Sequence, residues 1–192
     1  MALPKASQGG YTYQDYLTWD EGRYELIDGN LFDMTPAPSR RHQQIVREIF
    51  VQIVVQLRGK GCEAYDAPFD VRLPRNGETD ENTKNVVQPD IVVICDKTKL
   101  DDAGCKGAPD LIIEVTSPGT IKRDMKDKLL LYQNSGVREY WIVYPQEEVI
   151  MVYTLENGKY GPPEIYFKGD EIPIGITGEV KVNVTSIFTK YE

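Results

Sequence analysis

Two acidic residues stand beside the most apolar stretches at the centre of the chain. Asp90 immediately precedes Ile91-Val92-Val93-Ile94, and Glu114 immediately follows Leu111-Ile112-Ile113. Runs of this kind read as strands buried on both faces. An acid at the end of such a strand must be solvated, paired or metal-bound, because an isolated buried carboxylate is very costly. Asp90 opens one strand and Glu114 closes the other, so neighbouring strands in the right register would deliver both carboxylates to one cleft. Paired carboxylates suit a hard divalent cation, Mg²⁺ with Mn²⁺ as a substitute. Such a cation polarises a phosphoryl oxygen and lowers the pKa of an attacking water, the requirements of phosphodiester hydrolysis.

Basic side chains cluster in two places, Arg40, Arg41 and Arg47 on one expected helix and Lys122, Arg123, Lys126 and Lys128 on another. Arg41 and Lys122 are candidate phosphate contacts. His42 is the lone histidine and stands at a helix start beside Arg40 and Arg41, where it is a candidate for touching substrate at the site rim. The net charge of -8 argues against tight nonspecific DNA binding, since that affinity comes from Lys and Arg replacing counterions.

The elements that must position these groups follow from pattern. A short helix is expected over Tyr11 to Asp20 with Thr12 as N-cap. Tyr24 to Ile27 and Leu31 to Thr35 flank Asp28-Gly29-Asn30 as a hairpin. Ser39 caps a helix carrying Ile45, Ile49, Ile53, Val54 and Leu57, which Gly59 and Gly61 stop. Phe69 to Leu73 forms a strand, and Pro74 to Asn85 an exposed loop. A helix from Thr120 to Asn134 precedes the strand Glu139 to Tyr144, which pairs with Val149 to Leu155. Gly and Pro recur from Asn157 onward, so irregular chain with short edge strands is expected there. Strand, strand, helix, strand is the order of an α/β fold, a central mixed β-sheet flanked by helices. The 192 residues fit a single domain, with a core over about 11–155 and an irregular extension over 156–192.

No apolar run approaches the ~20 residues that span a bilayer, and the N-terminus carries no secretion pattern. A cytoplasmic protein without membrane contact is expected. Cys62, Cys95 and Cys105 are unevenly spaced, none in a CxxC pair, and are expected as free thiols.

Several segments together carry a family resemblance: Tyr24-Glu25-Leu26-Ile27-Asp28-Gly29, Pro89-Asp90, Pro109-Asp110-Leu111-Ile112-Ile113-Glu114-Val115-Thr116-Ser117-Pro118, Asp124-Met125-Lys126-Asp127-Lys128 and Gly136-Val137-Arg138-Glu139-Tyr140-Trp141. Over roughly residues 11 to 155 the chain resembles the Uma-type group of endonuclease-like proteins, placed in the PD-(D/E)XK nuclease superfamily. The resemblance implies a restriction-endonuclease-like fold and Mg²⁺-dependent hydrolysis, with DNA as the expected substrate and a homodimer as one possible assembly. It assigns Asp90 and Glu114 as metal ligands, and Glu25 as a third carboxylate. Asp110 falls on the strand of Glu114 and is given a turn role.

The superfamily lysine should stand two residues beyond Glu114, where this chain has Thr116. Lys128 is the expected substitute, because Asp124, Lys128 and Tyr132 recur at intervals of four on one helical face; Lys126 is the alternative. Tyr132, Tyr140 and Trp141 are expected as packing residues. The departure at Thr116 and the acidic balance keep a second possibility open, a catalytically inactive module of the same fold that binds nucleic acid or protein.

Overall fold

The computed structural model describes residues 9–19, 22–34, 36–75 and 77–189. Asp20 and Thr35, expected at the ends of the first helix and the hairpin, lie outside them. Helix α1 (Tyr13–Tyr16) is held by a reciprocal cap between Thr12 and Asp15. The hairpin β1 (Tyr24–Ile27) and β2 (Asn30–Asp33) turns through Asp28 and Gly29, both at positive φ. Helix α2 (Arg40–Leu57) starts at Ser39, whose side chain accepts the His42 N–H. There follow β3 (Glu63–Asp66), β4 (Val71–Arg72), β5 (Val86–Val87), β6 (Ile91–Ile94), β7 (Leu100–Asp101), β8 (Gly104–Lys106) and β9 (Leu111–Val115). A π-helical turn, Arg123–Lys128, runs into α3 (Leu129–Ser135), which Gly136 ends in the left-handed region. The chain closes with β10 (Glu139–Tyr144), β11 (Val149–Glu156), β12 (Lys159–Tyr160), β13 (Glu164–Tyr166), β14 (Glu171–Pro173), β15 (Lys181–Asn183) and α4 (Val184–Phe188).

The central sheet runs β12-β11-β10-β9-β6-β3, with β13 added on β11. It is mixed: β9 lies parallel to β10 and antiparallel to β6. This is the α/β architecture the sequence implies. Every residue of β6, β9 and β10 is buried, as their apolar runs require. Alternation divides them between two cores. Ile91, Val93, Leu111, Ile113 and Val143 pack against Ile45, Ile49 and Ile53 of α2. Val92, Ile94, Ile112 and Ile142 pack against α3 and against a second sheet, β2-β1-β5-β4-β8-β7. The candidate site lies on this second face.

Three expectations need correction. Cys62 and Cys95 are joined as a disulfide rather than free. Antiparallel β3 and β6 pair Glu63 with Ile94, which sets the two cysteines opposite one another one residue further on; sequence spacing carries no trace of that register. Cys105 stays free and buried, and burial pushes its thiol pKa up to about 11. Second, the core does not stop near residue 155. Ile172, Ile174, Val180, Val182, Val184, Ile187 and Phe188 join the core on the α2 side. Gln52 and Gln56 of α2 bind this segment through the backbone N–H groups of Asn183 and Lys181. The alternation that buries these residues is real, but Gly and Pro break it into pieces too short to read as strands. Third, the 74–85 loop is tethered. Arg72, 2% exposed, pairs with Asp80 at 2.6 Å and with Asp101, its guanidinium 5.2 Å from the Tyr13 ring centre. Among the described residues no helix is long and apolar enough to cross a membrane.

Because the C-terminal segment is core, Ile172→Ala and Ile187→Ala should each lower unfolding free energy by about 2–5 kcal/mol in denaturant titrations. A cost near zero for both would return the segment to a peripheral role.

Candidate functional site

The register of β6 and β9 builds the site. Ile91 lies opposite Ile113 in an antiparallel pair, so one residue further on Asp90 stands across from Glu114. Directly opposed residues share a face, here the one covered by the second sheet and the π-helical turn. Glu25 reaches the same place from β1, and Lys128 and Tyr132 from the turn and α3. Together with Asp124 and His42, the four residues Glu25, Asp90, Glu114 and Lys128 line a cavity of about 660 Å³.

Lys128 is the hub. Only 3% exposed, it donates to Glu25 Oε1 at 2.7 Å and to Glu114 Oε1 at 2.8 Å. Burial alone would lower its pKa, but Glu114, Glu25 and Asp124 outweigh that and raise it, so the ammonium stays charged. Glu25 Oε1 also accepts the Gln88 N–H at 3.0 Å, while its Oε2 faces Arg123 at 3.5 Å. The Arg123 guanidinium sits 4.5 Å from the Phe32 ring centre.

The two candidate ligands are each held by one oxygen. Glu114 Oε1 accepts from Lys128 and from the Tyr132 hydroxyl, both at 2.8 Å. Asp90 Oδ2 accepts from the Val115 N–H at 2.7 Å and meets His42 Nε2 at 3.2 Å. No described group donates to Glu114 Oε2 or Asp90 Oδ1.

Charge is unbalanced. Six carboxylates, Glu25, Asp33, Asp90, Glu114, Asp124 and Glu147, line the cavity with three permanent cations, Arg41, Arg123 and Lys128. Burial pushes Glu114 well above the usual carboxyl range; Lys128 opposes the rise, while Asp124, Asp90 and Glu25 add to it. Asp124 is raised for the same reasons, with Lys128 and the Thr120 hydroxyl opposing. Burial lowers the His42 pKa, but its hydrogen bond to Asp90 and the charge of that carboxylate outweigh it, and the net shift is upward. These groups therefore hold their protons to higher pH than they would in water. Among the described residues no three His, Cys, Asp or Glu side chains form a ready-made metal cage. Mg²⁺ does not require one: it commonly takes one or two carboxylates and completes its shell with water and substrate oxygens. Two hard oxygens left open beside surplus negative charge fit that donor set.

Asp90, Glu114, Glu25 and Lys128, expected together, do meet in this cavity. Asp124 joins them through the π-helical turn, a wide turn of a kind often found at functional sites. His42 is deeper than a rim residue, buried against Asp90. Arg41 lines the cavity, but its Nη2 is committed to the Phe188 carbonyl at 2.9 Å and lies 3.6 Å from Glu148. Lys122 is exposed and is not part of the cavity wall. Thr116, in the place of the superfamily lysine, donates its hydroxyl to the Val143 carbonyl at 3.1 Å. Asp110, given a turn role, makes long-range bonds, accepting from the Cys95 N–H at 2.8 Å and from Arg138. Tyr132 packs in the core as expected, and its hydroxyl also reaches Glu114, a role its four-residue spacing from Lys128 could have signalled. Nothing in the pattern singled out Arg123 from its basic neighbours.

A solved structure from Anabaena variabilis, described as a "putative nuclease belonging to DUF820", superposes with a TM-score of 0.73 over 93% of this chain and 97% of its own, at 20% identity. That likeness is one of fold. An uncharacterized protein of Synechocystis is 27% identical over 144 residues, 73% of this chain and 72% of its own length. Residues 13–185 match the family described as "Uma2: Putative restriction endonuclease". With that span covering nearly all of the sequence, the chain belongs to the Uma2 family of restriction-endonuclease-like proteins.

Proposed function

We propose that this protein hydrolyses phosphodiester bonds in DNA, using Mg²⁺ or Mn²⁺ held between Asp90 and Glu114. The observation that carries the proposal is that Asp90, just before β6, and Glu114, on β9, stand opposite one another in the lining of one cavity, each with one oxygen to which no described group donates. When bound, the cation would supply Lewis acidity and a lowered pKa for an attacking water. The chain supplies the rest. Asp90 and Glu114 would hold it, with Oδ1 and Oε2 as the atoms free to do so. Lys128 sets a permanent positive charge beside them, where negative charge grows on the phosphoryl oxygens in the transition state. Glu25 has both oxygens engaged, Oε1 by Lys128 and Gln88 and Oε2 by Arg123, so it positions the ammonium rather than acting as a third ligand. Arg41 at the cavity wall and exposed Lys122 contact flanking phosphates. The acidic surface elsewhere keeps affinity dependent on the cation and these few contacts.

One observation favours the alternative of an inactive binding module: Lys128 is already paired with two carboxylates, an arrangement a purely structural ion pair would share. Cation binding separates the two.

On plasmid DNA with Mg²⁺, Asp90→Ala and Glu114→Ala should reduce cleavage to background while circular dichroism keeps the native spectrum; unchanged cleavage in both would remove the site. Lys128→Met should lower unfolding free energy by about 3–5 kcal/mol, because Glu25 and Glu114 would remain buried without their partner. Adding Glu25→Gln should recover part of that loss, and no recovery would mean the pair is not the source.

In the metal-free protein Glu114, Asp124 and His42 hold protons that the unfolded chain has already released. Their contribution is complete below the unfolded pKa values and is lost as pH rises through the raised folded ones. Unfolding midpoints in EDTA should therefore decline from about pH 5 towards pH 8, and Mg²⁺ should flatten that decline by replacing protons on the carboxylates. Parallel curves with and without Mg²⁺ would speak against a cation at this position.

A further inference from the structure

We infer that His42 and Tyr132 are positioning residues, which tie one carboxylate oxygen of Asp90 and of Glu114 and so leave its twin for a ligand; this rests on the cation-dependent function proposed above. A carboxylate rotates readily about its terminal bond, a broad and roughly two-fold torsion. Two donors converging on one oxygen remove that freedom. Asp90 Oδ2 is met by the Val115 N–H from its own sheet and by His42 Nε2 from α2, at 2.7 and 3.2 Å. Glu114 Oε1 is met by Lys128 and by the Tyr132 hydroxyl from α3, both at 2.8 Å. In each case one oxygen is immobilised and its twin is left for a ligand.

Packing does not account for either polar group. His42 Nδ1 is buried without a hydrogen-bond partner among the described residues, which is unfavourable. An apolar side chain would fill the space without that penalty, so the contribution of His42 lies in what Nε2 does. The Tyr132 ring packs edge-on against Tyr140 with centres 4.9 Å apart, a contact phenylalanine would make equally well. Its hydroxyl is the part that serves Glu114.

The test is calorimetric titration of the protein with MnCl₂, run beside denaturant unfolding in EDTA. Tyr132→Phe and His42→Leu should each weaken Mn²⁺ binding by roughly 10–100-fold, the usual effect of removing a group that orients a metal ligand. His42→Gln, which returns an amide donor near the place of Nε2, should recover most of the affinity. Unfolding midpoints in EDTA should stay near the wild-type value for Tyr132→Phe, which removes a single oxygen, and for His42→Leu, which also removes the orphaned nitrogen. Wild-type affinity in both variants, with binding lost in Glu114→Gln, would overturn the positioning roles and leave the cation site standing. A midpoint that falls in step with affinity would assign the two residues to structure instead. If the wild type itself takes up no Mn²⁺, the proposed function fails first and this inference falls with it.

Discussion

A single buried ammonium joins the parts of this molecule that have to meet. Lys128 comes from the π-helical turn, Glu25 from the second sheet and Glu114 from the central one, and the two hydrogen bonds of 2.7 and 2.8 Å hold all three together. Each of these groups is costly to bury alone, and each is tolerable only because the others are present. The constraint is mutual: the lysine offsets the burial of the two glutamates at the seam between the sheets, and the acidic groups around it keep the buried ammonium charged.

The rest of the site follows from that seam. Two apolar strands set Asp90 across from Glu114, the helix α2 brings His42 against Asp90, and α3 brings Tyr132 against Glu114. The result is a cavity with more negative than permanent positive charge, in which burial and that surplus raise the pKa of Glu114 and Asp124. Asymmetric use of the carboxylate oxygens, one tied and one open, turns this surplus from a general electrostatic feature into a directed one. The C-terminal segment contributes from outside, covering the opposite face of the central sheet and securing α2, from which His42 projects.

How much of this could be read from the sequence depended on whether the signal was local. Asp90 and Glu114 were legible because each ends an apolar run, and a polar group in that position demands an explanation. Lys128 was legible from its spacing with Asp124 and Tyr132, although the turn that carries it is wider than the α-helix assumed. The hairpin and α2 declared themselves through Asp28-Gly29 and Ser39. What escaped was long-range. The Cys62–Cys95 bridge depends on the register of β3 against β6, which no spacing of 33 residues encodes. The burial of Ile172 to Phe188 depends on a neighbouring helix face being available. His42 was read as a rim group because its neighbours Arg40 and Arg41 suggested an exposed helix start, whereas the first turn of α2 leans on the end of β6.

The most direct measurement is a crystal of the protein soaked in Mn²⁺ and examined by anomalous scattering. The expected result is one peak within coordination distance of Asp90 Oδ1 and Glu114 Oε2, with Lys128 still bound to Glu25 beside it. A peak elsewhere, or those two oxygens turned away from a common point, would contradict the account.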